Sequence, residues 1–274
     1  MVSSETADQQ QRRRERSAAA SHESFAECLH AIAPDCRIED TCCVDGSDEA
    51  MNAAALERFD GVLFAGSPIQ MHEDTEETRR AARFMGRVFE SGTPSFGACA
   101  GLQIAAVAAG GTSRPREGGI EAGFSRAIVS TGEGRDHPML RGRPIAWDAL
   151  AMHSSVVDRQ PSGMTVLARA RDVPVEAAVV RSGAGEHWGV QYHPELRLGE
   201  IADALRAQGD TLVEEGKAAD EEAVERYAND LRALDADPGR GDIAWRIGID
   251  EEITAAERRT LEIRNFLRFA AERR

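Results

Sequence analysis

Cys99 stands in Gly97-Ala98-Cys99-Ala100-Gly101, after the apolar run "PSFGA" (94–98) and before an alanine-rich stretch of helical composition. A thiol between a strand and a helix can form a nucleophile elbow. Strained backbone there exposes the side chain, and the glycines two residues to either side let strand and helix approach closely. The helix N-terminus beneath Cys99 favours a thiolate, and the Ala100 N–H points where an oxyanion would form. Without a base, however, such a thiol is only a small buried hydrophobe, so the base must come from elsewhere in the chain.

"WGVQYHPEL" (188–196) offers one. His193 and Glu195 lie two apart at the end of an apolar strand, so their side chains fall on one side and the carboxylate can hold and charge-stabilise the imidazole. Pro194 removes a backbone donor and stiffens the link. A lone histidine after a strand is usually structural. Combined with an elbow cysteine it makes a Cys-His-Glu triad the leading reading. A third stretch, "FAGSP" (64–68), ends a strand in a Gly66-Ser67-Pro68 turn that can aim a backbone N–H at the thiol and complete a two-donor oxyanion hole with Ala100.

These residues need a scaffold, and the pattern between residues 21 and 196 supplies one. Short apolar runs alternate with amphipathic stretches, which predicts an α/β domain with a mostly parallel sheet. "DGVLFAGSP" (60–68) and "PSFGA" read as buried strands. Between them "TEETRRAARFMGRVFESG" (75–92) puts Ala81, Phe84, Met85, Val88 and Phe89 on one helical face, with Gly92 as its stop. "RAIVS", "MTVLAR", "EAAVVR" and "HWGVQYH" follow in close succession and predict a small antiparallel portion beside the parallel sheet.

Residues 197–274 read as helices alone. Leu198, Ile201, Leu205 and Leu212 form one apolar stripe, Val224, Tyr227, Leu231 and Leu234 another, and such stripes must dock on something. Residues 1–20 are polar, with an arginine run, and read as a mobile or surface segment rather than a targeting signal.

Composition sets outer limits. The 274 residues are 42% hydrophobic, enough for a full core, and 33 Lys+Arg against 47 Asp+Glu give a formal charge of −14. Such a surface repels nucleic acid and anionic membranes on average. No run approaches the ~18 apolar residues of a membrane span, so a cytoplasmic protein is expected. Cys28, Cys36, Cys42, Cys43 and Cys99 are an odd set without disulfide or paired C-x-x-C spacing, which fits free thiols.

Gly-x-Cys-x-Gly-x-Gln, the downstream Tyr-His-Pro-Glu and the upstream Gly-Ser-Pro, in that order, resemble class I (triad-type) glutamine amidotransferases over roughly residues 22–195. The likeness is greatest to free-standing domains similar to the glutaminase part of GMP synthase. It implies a doubly wound, flavodoxin-like sheet, with Cys99 as nucleophile, His193 as base and acid, and Glu195 as the residue orienting it. Ala100 and the Gly66-Ser67 turn would supply the oxyanion donors, Ser67 being the closer match. Gln103 would contact the glutamine substrate, and His153 and Ser154 in "MHSSVV" (152–157) would stand beside its amino-acid end.

The resemblance further implies L-glutamine as substrate, no metal or organic cofactor, and ammonia passed to an acceptor. The chain lacks an acceptor site of its own: "GDTLVEEGKAA" carries Ala218 where a phosphate loop needs Ser or Thr. A separate synthetase or ligase is therefore the expected partner. The alternative is a γ-glutamyl-peptide hydrolase or other thiol hydrolase on the same fold, which keeps the triad and needs no partner; a non-catalytic module built on the C-terminal helices is a third reading. One departure from the family stands out. Its members begin with a buried apolar strand, whereas this chain offers "MVSS", so the first strand is expected to be vestigial or to lie upstream.

Overall fold

A computed structural model describes residues 1–46 and 50–273. The chain starts with β1 (Val2–Ser3), α1 (Ala7–Ser17), α2 (Ser21–Ile32), β2 (Thr41–Cys42), α3 (Ala53–Leu56) and β3 (Val62–Phe64). Then come α4 (Glu76–Ser91), β4 (Ser95–Ala98), α5 (Ala100–Ala108), β5 (Ser113–Pro115), β6 (Glu121–Ser130) and α6 (Gly132–Asp136). Strands β7 (Ala146–His153), β8 (Ser155–Val157), β9 (Met164–Arg169), β10 (Ala177–Ser182) and β11 (Gly185–Val190) follow. Helices close the chain: α7 (Leu198–Ala207), α8 (Gly209–Glu214), α9 (Glu221–Ala236), α10 (Gly241–Ile247), α11 (Glu251–Thr254), α12 (Ala256–Arg259) and α13 (Leu261–Glu272).

Nine strands form one sheet in the order β2-β1-β3-β4-β11-β10-β9-β6-β7. The first five are mutually parallel, and the last four continue the sheet antiparallel. Alternation along β3 sends Leu63 to one face and Phe64 to the other. On the first face Phe25 of α2 and Phe266 of α13 meet Phe96 and Trp188; on the second, Phe84, Met85 and Val88 of α4 cover Phe64. Helix α4 lies where its period predicts. Thr75 caps its start and Gly92, at φ 68°, ends it in the left-handed conformation that glycine adopts without steric cost.

The apolar stripes of α7 and α9 close against each other and against Phe124 and Leu150 on β6 and β7. Helix α13 reaches the central core, where Phe266 lies 5.6 Å from Phe96 between ring centroids. A buried ionic cluster joins these parts. Arg143 donates to Glu262 (2.7 and 2.8 Å) and Glu252 (2.6 Å), and the Tyr192 hydroxyl donates to Glu262 at 2.8 Å. Arg143→Met keeps most of the volume but leaves the fully buried Glu262 without a cationic partner, while Glu252 keeps Arg258, so it should cost about 3–5 kcal/mol. A urea midpoint unchanged from wild type would show that the cluster contributes nothing to stability.

The N-terminal segment, expected to be mobile or at the surface, begins inside the sheet and continues as a surface helix. Val2 pairs with Thr41 and Phe64, so β1 sits inside the parallel sheet although it is two residues long. Its place is fixed by unpaired backbone groups on both neighbours rather than by its own propensity. Helix α1 is anchored by polar contacts, with a reciprocal Thr6–Gln9 capping box, an Arg14–Glu23 ion pair at 2.7 Å and Gln10 donating to the Glu5 carbonyl. No helix among the described residues is long and apolar enough to cross a membrane.

Candidate active site

β3, β4 and β11 are neighbours in the sheet, and their C-terminal ends carry Gly66-Ser67, Cys99 and His193. Three stretches far apart in sequence thus meet at one edge, where open α/β sheets bind ligands.

Cys99 sits at φ 51°, ψ −102°, between β4 and α5. That left-handed backbone is strained for any residue but glycine, and strain of this kind costs of order 1–3 kcal/mol. Its amide is tied to the Val190 carbonyl at 2.8 Å, which locks the turn to β11. A Cβ on Gly97 would lie 2.8 Å from Gly101 Cα, and one on Gly101 2.9 Å from Phe64 Cβ. Both positions therefore need glycine, as the elbow reading expects. Ala100 opens α5, so its N–H belongs to the first turn, where helix amides have no intrahelical acceptor.

Nδ1 of His193 and Oε1 of Glu195 are 2.7 Å apart, and both residues are buried. Burial pulls the imidazole pKa down, but the Glu195 charge and the Cys99 sulfur outweigh it and raise it to about 10. Gly66 faces the same ring, and a Cβ there would lie 2.6 Å from His193 Cε1. Ser67 is held by a 2.7 Å hydrogen bond from the Ser4 hydroxyl. Gly66, Ser67, Cys99, Ala100, His193 and Glu195 line one cavity of about 530 Å³, within the about 300–1,000 Å³ of small-molecule sites.

The remaining expected residues are placed differently. Gln103 touches the cavity from below, and its amide is engaged in the framework: Nε2 donates to the Ser155 carbonyl (3.0 Å) and Gln191 (3.2 Å), and Oε1 accepts from Ser113 (2.8 Å). Only a carbonyl lone pair is left to face a ligand. His153 lines the wall from the end of β7. Its Nδ1 is 3.1 Å from the Ser155 carbonyl, and its Nε2 is 2.8 Å from Glu121 Oε2, off the line of a hydrogen bond. Ser154 is exposed at the rim beside Gln70.

Sequence reasoning passed over Gln191, whose Nε2 approaches the Cys99 sulfur at 3.6 Å. The signal was available, because Gln191 is two residues before His193 and so shares its side of the chain. It also passed over Glu5 and Arg12, Arg13 and Arg16 of α1, which line the cavity from a segment with no apolar pattern.

Behind the wall lies Glu176, fully buried, accepting from the Ser125 hydroxyl with its second oxygen unpartnered. Burial, with help from the Glu121 charge, raises its carboxyl to about 8. An unfolded glutamate ionises near 4.5, so between pH 4.5 and 8 unfolding releases a proton and stability falls as pH rises, by about 1.4 kcal/mol per unit. Glu176→Gln should therefore melt above wild type at pH 8, with the gap closing toward pH 4.5. A gap that widens on acidification would contradict the assignment.

With this geometry in place, the likeness to known proteins is specific. The model of the family described as glutamine amidotransferase class-I matches residues 28–209. A γ-glutamyl-L-1-hydroxyisopropylamide hydrolase from Pseudomonas sp. is 36% identical over 217 residues, 77% of this chain and 72% of that protein. The glutamine-hydrolysing GMP synthase of Leifsonia xyli subsp. xyli is 31% identical over 205 residues; these are 74% of this chain but 39% of that protein, so the chain spans about two-fifths of it. The crystal structure of a glutamine amidotransferase from Methylobacillus flagellatus superimposes with a TM-score of 0.62 at 15% identity, covering 90% of this chain and 89% of that one. At that identity the likeness is one of fold.

Proposed function

Since the chain belongs to the class-I glutamine amidotransferase family, we propose that it hydrolyses the γ-glutamyl C–N bond of small amides, L-glutamine being the simplest, to glutamate and a free amine. The observation that carries the reading is the buried Cys99–His193–Glu195 constellation at the base of a cavity walled by the chain's own α1 and α7.

The Cys99 thiolate attacks the γ-carbonyl, forming the C–S bond while the carbonyl electron pair moves to oxygen. The Ala100 and Ser67 amides stabilise that oxyanion. Collapse breaks the C–N bond as His193 passes its proton to the departing nitrogen. Water then gives a proton to His193 and attacks the γ-glutamyl thioester, which releases glutamate and regenerates the thiolate. Glu195 stays ionised throughout and keeps the imidazole in place.

Action without a partner is favoured by the similarity to the Pseudomonas amide hydrolase, which extends over most of both chains. The match to GMP synthase supports a second reading, in which the amine is ammonia and a separate synthetase takes it up. Purified protein given γ-glutamyl-ethylamide or glutamine, with glutamate release as readout, separates them. Turnover of both amides by the chain alone is expected. Release from glutamine only after a synthetase is added would establish the second reading.

A further inference from the structure

We propose that Arg12, Arg13 and Arg16 of α1 form a subsite for an anionic group on the amine portion of the substrate, so that the preferred substrates are γ-glutamyl amides of amino acids rather than of neutral amines. The proposal rests on the γ-glutamyl hydrolase reading above and specifies its substrate.

All three arginines line the cavity that has Cys99 at its base. Helix α7 begins five residues after His193, and Arg13 Nη2 stands 3.9 Å from Glu200 Oε1 on α7. Arg13 therefore stands on the imidazole's side of the cavity, with Arg12 and Arg16, both exposed, on the same helix. His193 delivers the proton to the leaving nitrogen, so the amine portion of a bound γ-glutamyl amide extends toward that side, while Gln103, His153 and Ser154 line the wall built by α5, β7 and the start of β8.

In a chain of net charge −14, basic groups have no shortage of carboxylates, and Arg14 on the same helix has Glu23 at 2.7 Å. The cavity arginines are not so matched. Arg16 Nε donates to the Arg12 carbonyl, and Arg13 Nε is buried with no acceptor. Among the described residues no ion pair engages Arg12 or Arg16, and Arg13 has only the long one to Glu200.

The acids lining the cavity have other partners, Glu200 through one oxygen only, its second being the one near Arg13. Glu5 accepts from the Ser21 amide and hydroxyl, Glu200 caps the Arg197 amide at 3.0 Å, Asp203 pairs with Arg232, and Glu215 holds Lys217 at 3.0 Å. Arg12 and Arg16, both solvent-exposed, and the half-buried Arg13 thus line the cavity with donors to spare, and a guanidinium fork can grip a carboxylate bidentately.

α1 buries none of its 11 residues, and the contacts that anchor it, Gln10 to the Glu5 carbonyl and Arg14 to Glu23, are polar. A helix that is polar all round gains no hydrophobic stabilisation from docking where it does. Presenting arginines to the cavity accounts for its position.

The test compares kcat/KM for γ-glutamylglycine and γ-glutamylglycinamide, which differ in one carboxylate, with glutamine as a third substrate, in wild type and in Arg12→Ala/Arg16→Ala. Hydrogen bonds to a charged group contribute about 1.5–3 kcal/mol, so wild type should favour γ-glutamylglycine over its amide by roughly tenfold or more. The double variant should bring that ratio to about one, at an unchanged melting temperature. Arg12→Lys/Arg16→Lys, which keeps the charge but not the fork, should fall between. A ratio near one in wild type, or one that survives in the double variant, overturns the subsite while hydrolysis itself stands. Failure to cleave any of the three substrates overturns the hydrolase reading together with the subsite.

Discussion

Cys99→Ala should abolish glutamate release, with a loss of roughly 10⁶-fold in kcat, the order seen when a triad nucleophile is removed. The reason is chemical: neither the oxyanion donors nor His193 can form the thioester. The fold should survive, because the substitution removes one sulfur and leaves the Cys99 amide bonded to the Val190 carbonyl. A glutamine-analogue electrophile such as diazo-oxo-norleucine should label wild type at Cys99 and leave the variant unlabelled, as read by intact mass. Three of the other thiols, Cys28, Cys42 and Cys43, are held protonated by burial. Burial pushes the Cys28 thiol up to about 12 and raises Cys43 further, so both remain protonated and unreactive. Full residual hydrolysis in the variant would remove Cys99 from the mechanism.

Glu195→Gln should lower kcat by about 10³–10⁴-fold with little change in KM, the scale found when a triad loses its carboxylate charge. The glutamine fits the space and can still meet Nδ1 of His193, but it no longer stabilises the imidazolium. Because Glu195 is the leading group that lifts His193 to about 10, the imidazole pKa should drop in the variant. The protonated ring that donates to the leaving amine would then be depleted as pH rises through a lower value, so the alkaline limb of the kcat profile should move toward neutrality. Stability should change little, since the lost 2.7 Å contact is offset by removing a buried charge whose second oxygen has no partner. Wild-type turnover with an unmoved alkaline limb would mean that another group orients the ring.

What could be read from the sequence is what neighbours in the chain decide. The elbow glycines, the two-residue spacing of His193 and Glu195, the α4 face of Ala81, Phe84, Met85, Val88 and Phe89, and the stop at Gly92 follow from turn sterics and from the periods of strand and helix. All five of those α4 side chains are buried, and Cys99 has the strained backbone that an elbow requires. Three β-runs, "MTVLAR", "EAAVVR" and the start of "HWGVQYH", overlap strands β9, β10 and β11, but β7 carries no comparable signal because its buried Trp147, Ala149, Leu150 and Ala151 do not alternate cleanly with polar residues.

Tertiary structure decided the rest, because it depends on which distant backbone and polar groups meet. "MVSS" has no strand pattern, and β1 exists only because β2 and β3 leave paired places between them. Helix α1 has no apolar face, so nothing local shows that it lies over the cavity rather than in solvent. Gln103 has the spacing of a substrate contact, yet Ser113, Ser155 and Gln191 converge on its amide from three other segments. Hydrophobic burial follows a period along the chain, whereas a hydrogen bond between residues 88 positions apart, such as Gln103–Gln191, leaves no periodic trace and is set only when strands and helices close around it.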